Sequence, residues 1–392
     1  MIALVGIFGG ILNVPRVKSI GTITILTDGT VSPDTESIEN VANVYTFKEN
    51  ITDSIIVNKS DIVIDGRGNT TLNGDGMVGA GIYLEDVTNV IIKNMSDITN
   101  FEFGILLSNS SGCHITRNNI TGNDEGIQLD TNSTSNIIDG NYIAHNTDDG
   151  IEIGEASSFN DIYDNLITRN HEDGVDIEDD SNTNQIHENT ITYNGNEGEG
   201  DGEGVYIQSS RLNNITLNII SFNEDDGVDL DVSSYNLVYR NTITSNKDDA
   251  IDLDGCSNNE IFENLVQNNG GAVESTDSFG NGFFHNNFVD NQEQVILTGS
   301  ANLWDDGIGK GNYWSDYQGE DTDPPYDIGD TPYVIDTNNQ DNYPVMSNFH
   351  IWVKLPTSTS PAFSLPTDPL LYATIIIIVV LAVILAWLLK RR

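Results

Sequence analysis

Ile138-Asp139-Gly140-Asn141-Tyr142-Ile143 returns 24 residues later as Ile162-Tyr163-Asp164-Asn165-Leu166-Ile167. Each copy leads to a glycine that opens an alternating strand, Gly150-Ile151-Glu152-Ile153 and Gly174-Val175-Asp176-Ile177. That glycine recurs as Gly81, Gly104, Gly126, Gly150, Gly174, Gly204 and Gly227, with Ala250 in the next place. The steps are 22 to 24 residues, except for one of 30 that carries an insertion around 195–203. Three asparagine columns keep register with the glycine, from Asn89 to Asn259 (Cys113 standing in once), from Asn94 to Asn264 and from Asn123 to Asn269.

Asparagine at fixed spacing between short strands tolerates the left-handed backbone of a tight corner, and stacked Asn amides bond to one another in a ladder. Ile, Val, Leu and Thr around each Asn mark three short strands per repeat. A unit that small cannot bury its own apolar face and must stack on copies of itself, which gives a parallel β-helix. The general preference of parallel crossovers makes the coil right-handed, with a rise of about 4.8 Å per turn. A leucine-rich repeat is excluded, because no Leu-rich half-repeat of helical period is present. The expected fold is all-β: a right-handed single-stranded parallel β-helix of three strands per coil and about 9 to 10 coils, with a C-terminal cap and one C-terminal transmembrane helix.

The organisation follows from the ends. Residues 1–18 are an apolar N-terminal segment without a positive start or a cleavage site, taken as a truncated signal peptide. Residues 19–60 form an N-terminal cap and first strands, 61–295 the coils, and 296–350 a capping module holding Trp304, Tyr313, Trp314 and Tyr317. A Pro/Ser/Thr stalk, 351–369, precedes Leu370 to Leu389, twenty residues with only Thr374 polar and long enough to cross a bilayer. Lys390-Arg391-Arg392 places the C-terminus in the cytoplasm and the coil outside. Sequons such as Asn50, Asn58, Asn109 and Asn132 suit an exposed surface. Cys113 and Cys256 lie six coils apart, about 29 Å at the ladder rise, too far for a disulfide.

Sixty acidic residues against 16 basic ones give a net charge of −44. Such a surface repels nucleic acid and anionic lipid and suits cations or neutral sugars. In a Gly-Ile-x-Leu-x strand the x positions face solvent. Asp229 with Asp231 and Asp252 with Asp254 therefore form a square of carboxylates, about 4.8 Å between coils. Two unit charges at that distance repel by about 3.5 kcal/mol at an effective dielectric of 20. All-oxygen ligands make Ca²⁺ the natural occupant of the square. A second acidic column, Glu125, Asp149, Asp173, Glu203, Asp226 and Asp249, could equally accept corner N–H bonds. Tyr206, between carboxylates on neighbouring coils and under the insertion, is a candidate sugar platform with Asp176, Glu178 and Gln208.

Catalytic signals are weak. Asp225-Asp226 and Asp248-Asp249 offer acid and base for a glycosidase, and Arg211, Arg240 and Lys247 are the only basic residues near the square for a lyase. His114, His145, His171, His187 and His285 fall in different columns. For copper, only Cys113-His114 with His145 is suggestive.

The repeats, with Gly311-Asn312-Tyr313-Trp314-Ser315-Asp316-Tyr317 and Ile328-Gly329-Asp330-Thr331-Pro332-Tyr333-Val334-Ile335-Asp336, resemble the NosD-like β-helix proteins, particularly their membrane-anchored archaeal surface members. Carbohydrate-binding and sugar-hydrolase β-helices share the repeats. The resemblance covers about Gly21 to Met346. It implies a periplasmic accessory role in copper-site maturation for NosD proper. It also implies an Asp-rich calcium loop before the Ile-Gly-Asp, whose counterparts here are Asp321, Asp323 and Asp327, with Pro324-Pro325 where the loop would carry Asp and Gly. Polygalacturonase and mannuronan epimerase motifs are absent. The expected function is a non-catalytic surface protein, held by its membrane helix, binding polysaccharide or cell-envelope glycan and calcium. The alternatives are a polysaccharide lyase or glycosidase and a NosD-like copper-handling protein.

Overall fold

The computed structural model describes residues 21–196, 202–324 and 326–351. They form an all-β, right-handed parallel solenoid of about 11 turns. The count exceeds the expected 9 to 10 because the N-terminal residues already coil: Thr22–Ile25 pairs in parallel with Ser54–Val57, and Val44–Phe47 with Val63–Asp65. The segment 1–18, residues 352–369 of the stalk, the apolar stretch 370–389 and the basic tail lie outside the described residues. Among the described residues no helix is long and apolar enough to cross a membrane.

Each turn contributes three strands. The first face holds the glycine-led strands, among them Glu125–Asp130, Ile151–Ile153, Val175–Ile177, Val205–Gln208, Val228–Asp231 and Asp249–Asp254. The second face stacks Ile137–Asp139, Asp161–Tyr163, Gln185–His187, Asn214–Thr216, Leu237–Tyr239 and Glu260–Phe262. The third stacks Tyr142–Ala144, Leu166–Thr168, Thr190–Thr192, Ile219–Ser221 and Thr242–Thr244. In two early turns, Thr71–Glu85 and Asp97–Ser108, the strand runs through the corner unbroken and joins the third face to the first.

Alternation within each strand turns apolar columns inward, two from the first face, as at Ile127 and Leu129, and a central one from each of the other faces. Ile127, Ile151, Val175, Val205, Val228 and Ile251 of the first face have no accessible surface, nor do Ile138, Ile162 and Ile186 of the second or Ile143, Ile167 and Ile191 of the third. Each such side chain contributes about 1.5–3 kcal/mol through burial. The asparagine ladder lines the same core. Asn141 Oδ1 accepts from Asn118 N and Nδ2 at 3.0 and 3.1 Å, while Asn141 Nδ2 donates to Ile115 O and to Asn165 Oδ1. The left-handed conformation is taken by Asn89 and Asn94 but not by the column asparagines from Asn118 onward. It falls on the residue before them, as at Arg117, Gly140, Asp164, Glu188, Leu217 and Arg240, because the Asn must turn inward to bond.

The anchor glycines follow from close stacking. A Cβ on Gly150 would lie 2.6 Å from Gly174 O and 2.7 Å from Asn170 Nδ2. At the C-terminal end Phe283 stacks on Trp304, and Phe288 on Trp314, which stacks in turn on Tyr333. The indoles donate to Asn339 Oδ1 and Asp341 Oδ2, so both rings are buried without an orphaned N–H. Cys113 and Cys256 are buried free thiols.

Candidate functional site

Register on the first face places side chains distant in sequence directly above one another. Glu152 pairs with Asp176, Asp176 with Tyr206, Tyr206 with Asp229, and Asp229 with Asp252. The neighbouring outward row sets Gln208 over Asp231 and Asp231 over Asp254. The proposed square of Asp229, Asp231, Asp252 and Asp254 is thus in register, yet its members meet different partners. Asp231 Oδ2 accepts from Gln208 Nε2 at 3.1 Å, and the same amide donates to Tyr206 Oη at 2.7 Å. Asp254 is exposed.

The tightest grouping brings in a residue from the corner column. One oxygen each of Asp226, Asp229 and Asp252 lies within 4.8 Å of the other two. Asp226 is buried, because the corner before Gly227 folds it back beneath the strand that carries Asp229. Its Oδ1 accepts the Asp249 N–H at 2.7 Å. Asp149 and Asp173 do the same for the N–H groups of Asp173 and Glu203. The corner column is therefore a backbone acceptor and a wall of the acidic row at once. Asp252 Oδ1 accepts from Leu253 N at 2.6 Å, while Asp229 Oδ1 is buried and has no hydrogen-bond partner.

Electrostatics follow from this crowding. Burial, then the charges of Asp252, Asp225 and Asp229, push Asp226 up to about 10. Burial and Asp252 push Asp229 up to about 8. Burial, opposed by the Leu253 N–H and reinforced by Glu274, raises Asp252 to about 6. Among the described residues no ion pair joins Asp149, Asp173, Asp176, Asp226, Asp229, Asp249 or Asp252 to a Lys, Arg or His. Such a row can hold protons or take up a cation.

Tyr206 is half-buried, engaged with Gln208 and held between Asp176 and Asp229; burial and the charges of Asp231 and Asp229 raise its hydroxyl well above its ordinary value. Asp176 Oδ1 is buried without a partner, and burial, then Asp179, raises half-buried Glu178. A more exposed aromatic pair stands on the corner that leads into the row. Tyr193 and Phe222, each 47 % exposed, stack at 5.0 Å, and Arg169 covers the Tyr193 ring. Both aromatics have positive φ, where asparagine or glycine fits most easily. Aromatic residues in a corner column of that kind were the signal that could have revealed them. The insertion beside this corner lies partly outside the described residues, at 197–201.

The copper candidates are not brought together. Cys113 is buried with its thiol pushed up to about 11 by that burial, His114 pairs with Asp139 on the second face, and His145 is exposed on the corner after the third. Asp321 and Asp327 are engaged locally: Asp327 N donates to Asp321 Oδ2, and Ser347 Oγ to Asp327 Oδ1. Asp323 N donates to Asp330.

No curated protein sequence matches the chain. The solved structure of the periplasmic alginate epimerase AlgG is similar at 15 % identity over 73 % of this chain and 84 % of that one, with a TM-score of 0.43. Pectate lyase Pel9A is similar at 15 % identity over 66 % of this chain and 73 % of its own, with a TM-score of 0.42. The A-module of the Azotobacter vinelandii mannuronan C-5 epimerase AlgE4 is similar at 14 % over 66 % and 74 %, with a TM-score of 0.39. Residues 42–200 match the family described as "Right handed beta helix region", and residues 191–319 match "Periplasmic copper-binding protein (NosD)".

Proposed function

We propose that this chain is a non-catalytic surface protein of the membrane-anchored, NosD-like kind, whose first face binds a calcium-like cation and, beside it, an envelope polysaccharide. The observation that carries this reading is Asp229 Oδ1, buried, unpartnered and grouped with oxygens of Asp226 and Asp252, to which no ion pair among the described residues brings a basic side chain. Leaving a charged acceptor so placed is costly, and a hard cation with waters completing its shell removes the cost. Asp231 and Asp254, in register beside the trio, supply further oxygens at the mouth.

The family name that covers residues 191–319 speaks of copper. The donor set here does not fit it: the trio is all carboxylate, and among the described residues no Cys or His joins it. Polysaccharide is favoured by the aromatic corner of Tyr193 and Phe222 and by Tyr206 within the acidic row, surfaces on which a sugar ring can stack. Export is favoured by the periplasmic character of that family and by the apolar stretch 370–389 with its basic tail, which would hold the coil on the outer side.

A hydrolytic alternative has one observation in its favour. Asp226, raised to about 10, and Asp252, at about 6, are split in the manner of a general acid and its partner. Glycan-array binding with the full-length protein in detergent, with and without millimolar calcium, decides together with a turnover assay on acidic polysaccharides. Calcium-dependent retention without turnover is expected. Turnover abolished by Asp226→Asn would establish the hydrolytic alternative, and absence of both glycan and calcium binding would end the proposal.

A further inference from the structure

We infer that the first face carries a second cation site, built from Glu125, Asp148 and Asp149, four turns from the trio of Asp226, Asp229 and Asp252. One carboxylate oxygen of each of these residues lies within 4.8 Å of the other two. Glu125 and Asp149 form the floor, at 8 % and 7 % exposure, and Asp148 stands half-buried at the mouth, where an ion would enter with its waters.

The arrangement points to a ligand because one oxygen is left over. Asp149 Oδ1 is used by the fold, accepting the Asp173 N–H at 2.7 Å. Glu125 Oε2 is removed from solvent, lies in a side chain more than nine-tenths buried, and has no hydrogen-bond partner. Nearly all buried polar atoms in folded proteins are satisfied, so an orphaned carboxylate oxygen facing two other carboxylates is the place for a positive charge. None of the described ion pairs supplies one.

The sequence builds this site by the device used at the other end of the row. Asp124-Glu125-Gly126 and Asp148-Asp149-Gly150 are acidic doublets before the anchor glycine in consecutive turns, as are Asp225-Asp226-Gly227 and Asp248-Asp249-Ala250. In each case the second acid of the doublet sinks to the floor. Three oxygens within 4.8 Å of one another lie at most about 2.8 Å from a common point, so shifts of a few tenths of an ångström bring all of them to the 2.3–2.6 Å typical of Ca²⁺. Four turns at the ladder rise set the two sites about 19 Å apart on one face. The second site does not depend on the first being filled.

Equilibrium dialysis of the full-length protein against calcium, with bound metal counted per chain, tests the assignment. The wild type is expected to hold two ions, Glu125→Gln/Asp149→Asn one, Asp226→Asn/Asp229→Asn one, and the combined variant none. Asp148→Asn alters only the half-buried mouth and keeps the test valid should the floor variant fold poorly; it too is expected to lose one ion. A Glu125→Gln/Asp149→Asn or Asp148→Asn protein that folds and still binds as many ions as the wild type overturns the second site and leaves the proposed function standing. A single wild-type ion, lost on Asp148→Asn and kept in Asp226→Asn/Asp229→Asn, removes the first site and keeps this one.

Discussion

The first and second faces of the coil share a core and an asparagine ladder but treat their charges in opposite ways. On the second face outward acids meet bases: Lys93 faces Asp65, His114 faces Asp139, His187 faces Asp161, and Arg240 faces Glu263 on the next turn. On the first face Asp176, Asp229 and Asp252 are stacked in register with further carboxylates or with Tyr206. Titration separates the faces as well. Although burial works against it, bonds from Asn94, Arg67 and Lys93 hold Asp65 below the ordinary carboxylate range. Asp226, Asp229, Asp249 and Asp252 are all held above it, by burial first and then by neighbouring carboxylates, Asp252 for Asp226 and Asp229, Asp248 for Asp249 and Glu274 for Asp252. A charge balanced within the chain is part of the scaffold, and one left unbalanced invites a partner from solution.

The scaffold common to both faces gives the largest effect. Asn189 Oδ1 accepts two bonds from Asn165, and its Nδ2 donates to Ile162 O and Asn218 Oδ1. Asn189→Ala should destabilise the coil by about 3 kcal/mol, since several buried groups lose their partners together. Denaturant unfolding measures this, and the loss should be the same with and without calcium.

Calcium comes next. At a hundredfold excess over its dissociation constant, one bound ion should add about 2.7 kcal/mol to the wild type at neutral pH. Asp226→Asn/Asp229→Asn should lose the contribution of the first site, whereas Arg240→Ala on the second face should keep the full response. Thermal melting with calcium or a chelator is the readout.

The third contrast is in pH. The folded first face keeps protons on Asp252 to about 6 and on Asp229 and Asp249 to about 8, whereas the unfolded chain releases them near 4. Between those limits the native state binds more protons than the unfolded one, so this part of the stability is full below about pH 4 and is lost as pH rises toward about 8. Asp65 on the second face has the opposite sign, contributing above about pH 4 and losing its share in acid. Cation-free protein should therefore melt at a lower temperature at about pH 8.5 than at about pH 5, and calcium should close the gap. Asp229→Asn should shrink that gap by itself, since it removes a buried charge.

The smallest effect tests the second face alone. Arg240 and Glu263, at 50 % and 36 % side-chain exposure, form a surface pair, and Arg240→Ala should change stability by less than about 1 kcal/mol. A larger loss would blur the distinction between the faces.

Much of this contrast was legible before any coordinates. The glycine and asparagine columns fixed the coil, and with it the vertical neighbours Asp229 and Asp252. Alternation alone could not show that the corner acids Asp226 and Glu125 fold inward, because a period of two describes a strand and says nothing of the bend before it. For the same reason the trio drew Asp226 from the corner, while Asp231 turned to Gln208. From Asn118 onward the left-handed residue of each corner was misplaced by one position, because Asn is suited both to the corner and to the ladder, and the ladder took it. Tyr193 and Phe222, each just before an asparagine of the third column, were legible as vertical neighbours, but only the bend of the corner turns the two rings outward to stack.

A crystal structure grown in millimolar calcium, with anomalous data to identify the metal, tests the central claim most directly. The account predicts an ion at about 2.3–2.6 Å from oxygens of Asp226, Asp229 and Asp252, with Asp229 Oδ1 among its ligands. Water alone between those carboxyls, or the three side chains turned apart into solvent, would contradict it.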